Sequence, residues 1–282
     1  MILLDYNGIA VGNVITQKLE VEENLIRHMI LNTIRMYNVK FRDKYGEMVI
    51  CCDAGGNWRK KVYAEYKASR KDRVEEDAKF WDELFRIINM VREEIKENLP
   101  WKVVQVWGAE ADDVIAALVD RTQEFGMHED VMIVSADKDF AQLQKYSNVQ
   151  QFSPMTKKFI VEKDPQGKLF EHVCRGDGSD GVPNVLSGDN VFVDKIRQTQ
   201  LRSKRIEEWA KAPDLREAMG EEIYRNYIRN QKMIDLESCP ESLKSDIISN
   251  YDEQESVSPA KIKPYLMQKR CRNLLSNIQD FR

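Results

Sequence analysis

The sequence has few histidines and no paired cysteines, which removes several classes of site. Its 282 residues include three histidines and five cysteines, and no two cysteines form a Cys-x-x-Cys pair. Structural zinc and a disulfide framework are therefore not expected, and a reducing cytoplasm is the expected location. No Ser/His or Cys/His pairing is evident, so covalent catalysis is not expected. We interpret His28 as a helix-packing residue, and His128 and His172 as surface or turn residues.

Long apolar runs and phosphate-binding glycine loops are also missing. The longest unbroken apolar run, Val114–Val119, is too short for a membrane span, and the first residues lack the basic-then-apolar pattern of a signal peptide. No Gly-x-x-x-x-Gly-Lys loop is present, which disfavours a phosphatase or kinase-like metal enzyme for small molecules. With 42% hydrophobic residues, the chain can form one large domain, or a domain with a smaller one beside it.

Short apolar strands alternate with amphipathic helices up to about residue 145. The predicted strands are Ile2–Leu4, Met48–Cys52, Val103–Val106 and Val131–Val134, and the predicted helices span residues 21–37, 81–98 and 111–125. This alternation is typical of an α/β fold whose central sheet is mostly parallel and buried on both faces. Two small strands (149–152 and 159–161), a glycine-rich turn and a mostly helical, charge-rich remainder follow.

Acidic residues follow the carboxyl end of each of these four strands. They are Asp5, then Asp53, then Glu110, Asp112 and Asp113, and finally Asp137 and Asp139. Parallel strands bring these ends to one edge, where repulsion between the carboxylates calls for cations. Any one acid could be a helix cap or turn residue, but the same placement at four strand ends favours a site for Mg²⁺ or Mn²⁺ with oxygen ligands. Two such ions roughly 4 Å apart can activate water and stabilise a leaving oxygen, which predicts a nuclease.

A basic segment comes directly after Asp53. Arg59–Arg73 contains seven Lys and Arg residues against two acids, although the net charge of the chain is −4. Lysines interleaved with tyrosines are typical of a channel for single-stranded nucleic acid, with rings that stack on bases. The candidate nucleic-acid-binding residues of this segment are Arg59, Lys60, Lys61, Tyr63, Tyr66, Lys67 and Arg70. A solvated helix face with ordinary tyrosine packing is the alternative, and the position beside Asp53 favours binding.

Other basic and aromatic residues have less decisive patterns. Lys195–Arg205 carries five basic residues and no acid, which is compatible with duplex binding and with a plain solvated surface. The candidates there are Lys195, Arg197, Arg202 and Lys204. Trp58 is either a stacking residue or a buried anchor. The remaining tryptophans are expected in the core or partly buried, and they are Trp81, Trp101, Trp107 and Trp209.

Five acidic motifs occur in order along nearly the whole chain. They are Leu-Leu-Asp5, Cys-Cys-Asp53, Glu110-Ala-Asp112-Asp113, Ser135-Ala-Asp137-Lys-Asp139-Phe-Ala-Gln-Leu143 and Arg175-Gly-Asp177-Gly-Ser-Asp180-Gly-Val-Pro183. Together they resemble the flap endonuclease/5′-nuclease superfamily, and within it the ribonucleases H of T4-type bacteriophages. The fourth and fifth motifs are specific in combination. The sequence departs from the family pattern at Asn184, where glycine is common, and in its start, which lacks the Met-Gly of cellular flap endonucleases.

The resemblance implies two metal ions and a division of the chain. Asp5, Asp53, Asp112 and Asp137 would hold one ion, with Glu110 close by, and Asp139, Asp177 and Asp180 would hold the second, partly through water. Both are expected to be Mg²⁺, with Mn²⁺ as a substitute. The implied organisation is an α/β nuclease domain over residues 1–165, with a helical arch over the active site at about 54–80. A helical region with a helix–hairpin–helix-like duplex-binding element would cover residues 166–282.

The resemblance also implies an activity and partners. The expected activity is 5′→3′ exonuclease and flap cleavage of RNA–DNA and DNA–DNA duplexes, with removal of RNA primers from lagging strands as the task. The expected partners are forked or flapped duplex DNA, RNA–DNA hybrid and replication proteins such as a single-strand-binding protein or a sliding clamp. We expect a monomer in the cytoplasm, which would be the host cytoplasm for a phage protein, and no membrane contact.

Two alternatives remain compatible with an acidic strand edge. One is a non-catalytic protein that binds DNA junctions, which the complete set of acids disfavours. The other is a ribonuclease of the PIN type, which also clusters carboxylates at strand ends. The length of the chain, the basic segment and the Gly-Asp-x-x-Asp turn favour the 5′ nuclease.

Overall fold

The short apolar segments form one six-stranded sheet in a computed structural model that describes residues 1–17, 20–68 and 77–282. The strands are β1 Ile2–Asp5, β2 Met48–Cys51, β3 Lys102–Val104, β4 Val131–Val134, β5 Val149–Ser153 and β6 Lys158–Ile160. Their order is β3-β2-β1-β4-β5-β6, with β1 to β5 parallel and β6 antiparallel to β5. The predicted α/β fold with a mostly parallel sheet is confirmed.

Helices flank this sheet and make up most of the C-terminal part of the chain. The described α-helices are α1 Tyr6–Gln17, α2 Glu23–Tyr45, α3 Arg59–Val62, α4 Ala78–Asn98, α5 Ala111–Thr122, α6 Pro165–Arg175, α7 Ser203–Ala210, α8 Leu215–Met219, α9 Glu221–Ile234, α10 Glu241–Asp252, α11 Ile262–Gln268 and α12 Arg272–Leu275. Short 3₁₀ helices cover Lys138–Lys145, Gly178–Asp180, Leu236–Ser238, Pro259–Lys261 and Ile278–Phe281.

Alternate residues of strands β1 to β5 enter two separate hydrophobic cores. In β1, Ile2 and Leu4 pack with α1, α2 and α4, whereas Leu3 faces the opposite core with α5 and α10. Because the side chains of a strand point alternately to its two faces, both faces of the central strands are covered, and β2 and β4 are wholly apolar, as is β1 up to Asp5. The polar carboxyl ends of the strands are therefore the natural place for a site.

The C-terminal helices contribute to both cores of the sheet. Leu266 and Phe281 join the core that contains Ile2, and Ile247 joins the core that contains Leu3. A smaller cluster under α6 to α9 includes the buried Trp209. The end of the chain is thus fixed against the sheet by apolar contacts.

Helix α1 is the main element absent from the sequence prediction. Gly8 and Gly12 lie inside it, and glycine lowers helix propensity by about 1 kcal/mol relative to alanine. Gly8 has a local reason, because a Cβ atom there would stand 2.3 Å from Oδ2 of Asp5. The strand ends agree with the predictions to within two residues, and helix α2 runs on to Tyr45 instead of ending near residue 37.

The five cysteines are buried and free. Across residues 1–17, 20–68 and 77–282, no helix combines the length and the apolar character needed to cross a membrane.

Candidate active site

Four strand-end acids line one cleft at the carboxyl edge of the sheet. These strand-end acids are Asp5, Asp53, Asp112 and Asp137, and Glu110, Asp180 and Lys67 line the same cleft. The cleft has a volume of about 450 Å³. The parallel strands deliver Asp5 and Asp53 directly, whereas Asp112 reaches the edge from the first turn of α5. The structure therefore brings together every acid expected in the first metal site.

Backbone and hydroxyl donors fix the strand-end acids in place. Gly8 N–H donates to Asp5 Oδ1 at 2.9 Å, and the Ser135 hydroxyl donates to Asp5 Oδ2 at 2.9 Å. Asp53 Oδ1 accepts from the N–H of Ala111 at 2.8 Å, which ties the end of β2 to the start of α5. The carboxylates are thus oriented before any ligand arrives.

The strand-end acids oppose one another electrostatically. Burial, followed by repulsion from Asp53, raises the pKa of Asp5 to about 6. Burial, followed by repulsion from Asp137 and Asp5, raises the pKa of Asp112 well above its ordinary value. Repulsion of this kind is relieved by protons or by metal ions, and at neutral pH a divalent cation is the more effective of the two.

A buried ion pair supports the cleft from below. The guanidinium of Arg59 makes two hydrogen bonds of 2.9 Å to Asp113, and its Nη1 lies 3.3 Å from Glu110 Oε2. The side chains of Arg59 and Asp113 are 1% and 0% exposed. Asp113 also accepts from the Trp58 indole and from the Glu110 N–H, which completes a capping box at the start of α5.

These contacts correct the expectation for three residues of the basic segment. Arg59 is enclosed by its acidic partners, and Tyr63 and Tyr66 are buried, so in this structure none of the three side chains is available to phosphates or bases. The Tyr66 hydroxyl lies 2.9 Å from Glu110 Oε2 and 3.1 Å from Asp180 Oδ2. Burial, and then the charges of these two acids, raise the pKa of Tyr66 far above its ordinary value. Trp58 is the buried anchor of its two alternatives.

The other candidates of the basic segment have different surroundings. Lys60 and Lys61 are exposed. Lys67 extends into the cleft, where its ammonium contacts Glu110 at 2.5 Å and Asp180 at 3.5 Å. Although burial opposes the charge on Glu110, Lys67 and Arg59 hold its pKa below the ordinary value. Arg70 lies outside the described residues.

A second cluster contains Asp139 and Asp177 together with His172. His172 Nδ1 lies 3.3 Å from Asp139 Oδ1, and its Nε2 lies 3.4 Å from Asp177 Oδ2. Lys138 Nζ also approaches Asp177 Oδ2, at 2.8 Å. Burial, followed by repulsion from Asp137, raises the pKa of Asp139 to about 7. For Asp177, burial is outweighed by His172, Lys138 and Ser179, so its pKa is lowered.

The composition of this cluster differs from the predicted second site in two respects. Asp180 faces the first cleft instead, beside Tyr66 and Lys67. His172 is neither a surface nor a turn residue, because it lies in the last turn of α6 with its side chain 14% exposed. The sequence feature that could have indicated this role is the position of His172 in the last turn before Gly176, which turns the chain back to Asp177.

The second basic group lies on the surface. Lys195, Arg197, Arg202 and Lys204 are all exposed, in and after the loop that precedes α7. Asn184, which stands where glycine is common in the resembled family, is buried beneath this loop, where its side-chain amide donates to the Thr199 carbonyl oxygen at 2.8 Å. The asparagine therefore holds the loop by a side-chain hydrogen bond.

Trp107 is far more exposed than expected. Its side chain is 77% exposed and packs against Gly55 and Gly56, where an added Cβ atom would stand 2.5 Å from the indole. The same loop is tied to the start of the site by Gln105, whose amide donates to the Asp53 carbonyl oxygen at 2.7 Å. The exposed indole of Trp107 thus contacts Gly55, which lies two residues after the strand-end acid Asp53.

Comparison with known proteins identifies the family. Residues 7–169 match the model of the 5′-3′ exonuclease N-terminal resolvase-like domain, and residues 165–281 match that of the T4 RNase H C-terminal region. The chain is 30% identical to ribonuclease H of Enterobacteria phage T4, over 99% of this chain and 95% of that protein. The chain belongs to the 5′-3′ exonuclease family. It is therefore a nuclease that acts on phosphodiester bonds.

Other members and solved structures agree with this assignment. A 5′-3′ exonuclease of Buchnera aphidicola is 30% identical over 55% of this chain and 53% of its own length. The flap endonuclease of bacteriophage T5, solved with DNA and metal ions, superposes with a TM-score of 0.67 at 17% identity, covering 89% of this chain and 99% of that one. The T5 5′-exonuclease with bound zinc gives a TM-score of 0.63 at 14% identity, over 90% and 98% of the two chains. These superpositions establish the 5′-3′ exonuclease fold.

The residues present suit divalent cations, as the 5′-3′ exonuclease fold implies. The strand-end acids supply only oxygen ligands, the preferred donors of Mg²⁺. In the second cluster, Asp139 Oδ1 and His172 Nε2 are buried atoms that make no hydrogen bond. Such atoms are costly unless a ligand completes their contacts, so the donor set fits a bound metal ion.

Proposed function

We propose that the protein is a Mg²⁺-dependent 5′→3′ exonuclease and flap endonuclease that hydrolyses RNA–DNA and DNA–DNA duplexes. The observation that carries this proposal is the gathering of Asp5, Asp53, Asp112 and Asp137 around one cleft, where burial and mutual repulsion raise the pKa values of Asp5 and Asp112. Such a site is stabilised by a divalent cation, and Mn²⁺ should replace Mg²⁺ because it accepts the same oxygen ligands.

Two ions are proposed, and the residues divide between them. The strand-end acids would hold one ion, with Glu110 and Asp180 beside it, and Asp139 and Asp177 would hold the other. When bound, divalent cations would lower the pKa of a water molecule and stabilise negative charge on phosphoryl oxygens. Lys67 brings a cationic side chain to the same cleft, and Tyr66 and Arg59 hold Glu110 in place.

Surface residues near the cleft are proposed to guide the nucleic acid. Lys60 and Lys61 are exposed and follow shortly after Gly55 and Gly56 in the sequence. The exposed indole of Trp107 packs against these two glycines. Trp107, and not Tyr63 or Tyr66, is then the residue that stacks on an unpaired base. Stacking on an aromatic ring contributes about 1–3 kcal/mol per base, so Trp107→Ala should weaken single-strand binding measurably, and unchanged affinity would exclude this contact.

We further propose the organisation implied by the resemblance. Residues 1–165 would form the nuclease domain, with an arch at about 54–80, and residues 166–282 would carry a duplex-binding element. Lys195, Arg197, Arg202 and Lys204 are exposed beside that element, as phosphate contacts require. The similarity to a phage ribonuclease H over 99% of the chain supports primer removal as the task.

The setting of this task is part of the proposal. A primer-removing nuclease would act as a monomer in the cytoplasm, which is the host cytoplasm for a phage protein. Its partners would be forked or flapped duplex DNA, RNA–DNA hybrid, and a single-strand-binding protein or a sliding clamp.

A cleavage assay tests the proposal directly. The purified protein would be incubated with a duplex that carries a 5′-labelled RNA–DNA strand, and with a matched flap substrate, in Mg²⁺ or in EDTA. We expect short 5′ products from the wild type in Mg²⁺ alone, and none from the Asp137→Ala protein, which controls for contaminating nuclease. Tight binding of the flap without cleavage in Mg²⁺ or Mn²⁺ would instead indicate a protein that binds junctions and does not cut them.

A further inference from the structure

The cluster of Asp139, His172 and Asp177 differs chemically from the strand-end acids. One donor atom from each of its three residues lies within 4.8 Å of the other two. The strand-end acids offer only carboxylates, whereas this cluster includes an imidazole nitrogen. Imidazole suits ions such as Zn²⁺ and other transition metals, while Mg²⁺ prefers oxygen ligands throughout.

The fold holds the imidazole in this position by specific means. Helix α6 ends at Arg175 and is capped by Gly176, which adopts φ of 69° and donates its N–H to the His172 carbonyl oxygen at 2.8 Å. The reversal returns the chain so that Asp177 meets the side chain of the helix's last turn. A Cβ atom at position 176 would stand 2.4 Å from the Val182 carbonyl oxygen, so the turn needs glycine.

The two oxygens of Asp177 have separate partners. Oδ1 accepts from the N–H of Ser179 at 2.9 Å and from its hydroxyl at 2.6 Å. Oδ2 is left to face His172 and Lys138, at 3.4 Å and 2.8 Å. Because the serine fixes the rotation of the carboxylate, one oxygen is aimed into the cluster.

Hydrogen bonds within the protein do not complete the cluster. Asp139 Oδ1 and His172 Nε2 are buried and make no hydrogen bond of good geometry, although each lies within 3.4 Å of an oppositely polar atom. A structural histidine would be expected to donate to one carboxylate with good alignment. Lys138 is 61% exposed, so its ammonium can leave Asp177 when another cation arrives.

We propose that His172 is a direct ligand of the second metal ion, and that this site therefore selects a transition metal such as Mn²⁺ over Mg²⁺. This inference rests on the proposed two-metal function and deepens it, because it makes the two sites chemically unlike. The oxygen-only set would take Mg²⁺, and the set with His172 would take an ion that accepts nitrogen.

Mn²⁺ binding followed by electron paramagnetic resonance tests this proposal without any cleavage. The loss of the free-ion signal gives the affinity, and pulsed measurements detect a nitrogen atom bound directly to Mn²⁺. We expect nitrogen coupling in the wild type and in His128→Gln, a matched change at an exposed histidine. His172→Gln should abolish the coupling and weaken one equivalent of Mn²⁺ by about 10–100-fold, with little change in Mg²⁺ affinity.

The glutamine at position 172 also separates ligation from positioning. It can still donate a hydrogen bond to either aspartate, so full Mn²⁺ affinity in His172→Gln would mean that His172 only positions the acids, and the proposal would be wrong. Absence of nitrogen coupling in the wild type would overturn it even if the variant failed to fold. Mg²⁺-dependent cleavage without nitrogen coupling would reject this inference and leave the proposed nuclease intact, whereas coupling without cleavage would do the reverse.

Discussion

The acids of this protein fall into two groups that residue type does not distinguish. Asp5 and Asp112 lie among other carboxylates, and burial with repulsion raises their pKa values. Glu110 and Asp177 are also buried, yet cationic side chains of the protein outweigh that burial and lower their pKa values. Within residues 1–17, 20–68 and 77–282, the charge of Lys67 acts on Asp112 but does not outweigh burial and repulsion there, whereas the second group has Arg59, Lys67, Lys138 or His172 beside it.

The two groups differ in where the positive charge that balances them comes from. Burial and mutual repulsion destabilise the anionic forms of the acids in the first group, so a cation bound from solution would stabilise them. In the second group, Glu110 joins parts of the fold, since it links α5 to the segment of Arg59 and Lys67, whereas Asp177 is a proposed metal ligand. Changing an acid of the first group should affect chemistry, and breaking the buried ion pairs around Arg59 should affect stability.

The largest expected effect is on cleavage, from a change that keeps the shape of a strand-end acid. Asp112→Asn and Asp137→Asn each remove one negative charge from the cleft and should reduce cleavage of a flap substrate at least about 1000-fold, because metal ions contribute several kcal/mol to the transition state. Substrate binding, measured in Ca²⁺ by fluorescence anisotropy, should remain within about threefold of the wild type.

Thermal unfolding of the same two proteins provides the control. A melting temperature equal to or above that of the wild type without metal would show that the asparagine relieves repulsion and leaves the fold intact. Loss of folding in both variants would instead mean that these acids are structural, and the contrast between the two groups would fail.

The second effect concerns the buried ion pair of Arg59 and Asp113. Arg59→Met keeps the bulk of the side chain but leaves Asp113 uncompensated at 0% exposure, and such changes cost about 3–5 kcal/mol. Urea unfolding should report this loss as a lower midpoint. Lys60→Met, at the exposed neighbouring position, is the matched control and should change the stability by less than about 0.5 kcal/mol. Equal stability of the two variants would argue against a structural role for Arg59.

Sequence patterns predicted the arrangement of the strands better than the surroundings of single residues such as Arg59. The gathering of the acids at the ends of β1, β2 and β4 follows from the alternation of short apolar strands and helices, because parallel strands must deliver their carboxyl ends to one edge. The sequence thus predicted both the fold and the gathering of the strand-end acids. Helix bounds were less certain, since Gly8 and Gly12 conceal α1 behind low helix propensity.

The surroundings of single side chains were beyond the reach of those patterns. Seven basic residues in a row of fifteen indicate a positive surface, but the fold buries Arg59 against Asp113, a residue 54 positions away. The same limit applies to His172, whose partners Asp139 and Asp177 meet it only because α6 is capped by Gly176. Contacts between residues far apart in the sequence determine the surroundings of Arg59 and His172, and local composition does not predict such contacts.

A smaller effect should appear in the dependence of stability on pH without metal. A carboxyl whose pKa is raised on folding holds more protons when folded, so the stability falls as pH rises from about 4, the unfolded value, through the folded value. With Asp5 at about 6 and Asp139 at about 7, the loss lies between about pH 4 and 8. Glu110 and Asp177, whose pKa values are lowered, act only below about pH 4.

Melting temperatures measured from pH 5 to pH 8 in EDTA check this sign. We expect a fall of several degrees, since about 1.4 kcal/mol accompanies each unit of pKa and about 2–4 °C accompanies each kcal/mol. Mg²⁺ should raise the melting temperature more at pH 8 than at pH 5. Asp112→Asn isolates the contribution of the cleft, because it should flatten the profile, and a profile identical to that of the wild type would contradict the repulsion among the strand-end acids.

The smallest expected effect is on nucleic-acid binding by the exposed Lys60. If Lys60 contacts one phosphate, Lys60→Ala should reduce the slope of log affinity against log salt by about 0.7 for a single strand. Lys44→Ala is the matched control, because Lys44 is exposed just before β2, at the edge of the sheet opposite the acids. An unchanged slope in Lys60→Ala would remove this residue from the interface. A lowered slope in both variants would mean that binding depends on the overall charge of the protein. A nucleic acid that passes along Lys60 would instead lower the slope in Lys60→Ala and leave it unchanged in Lys44→Ala, since Lys44 lies at the opposite edge of the sheet.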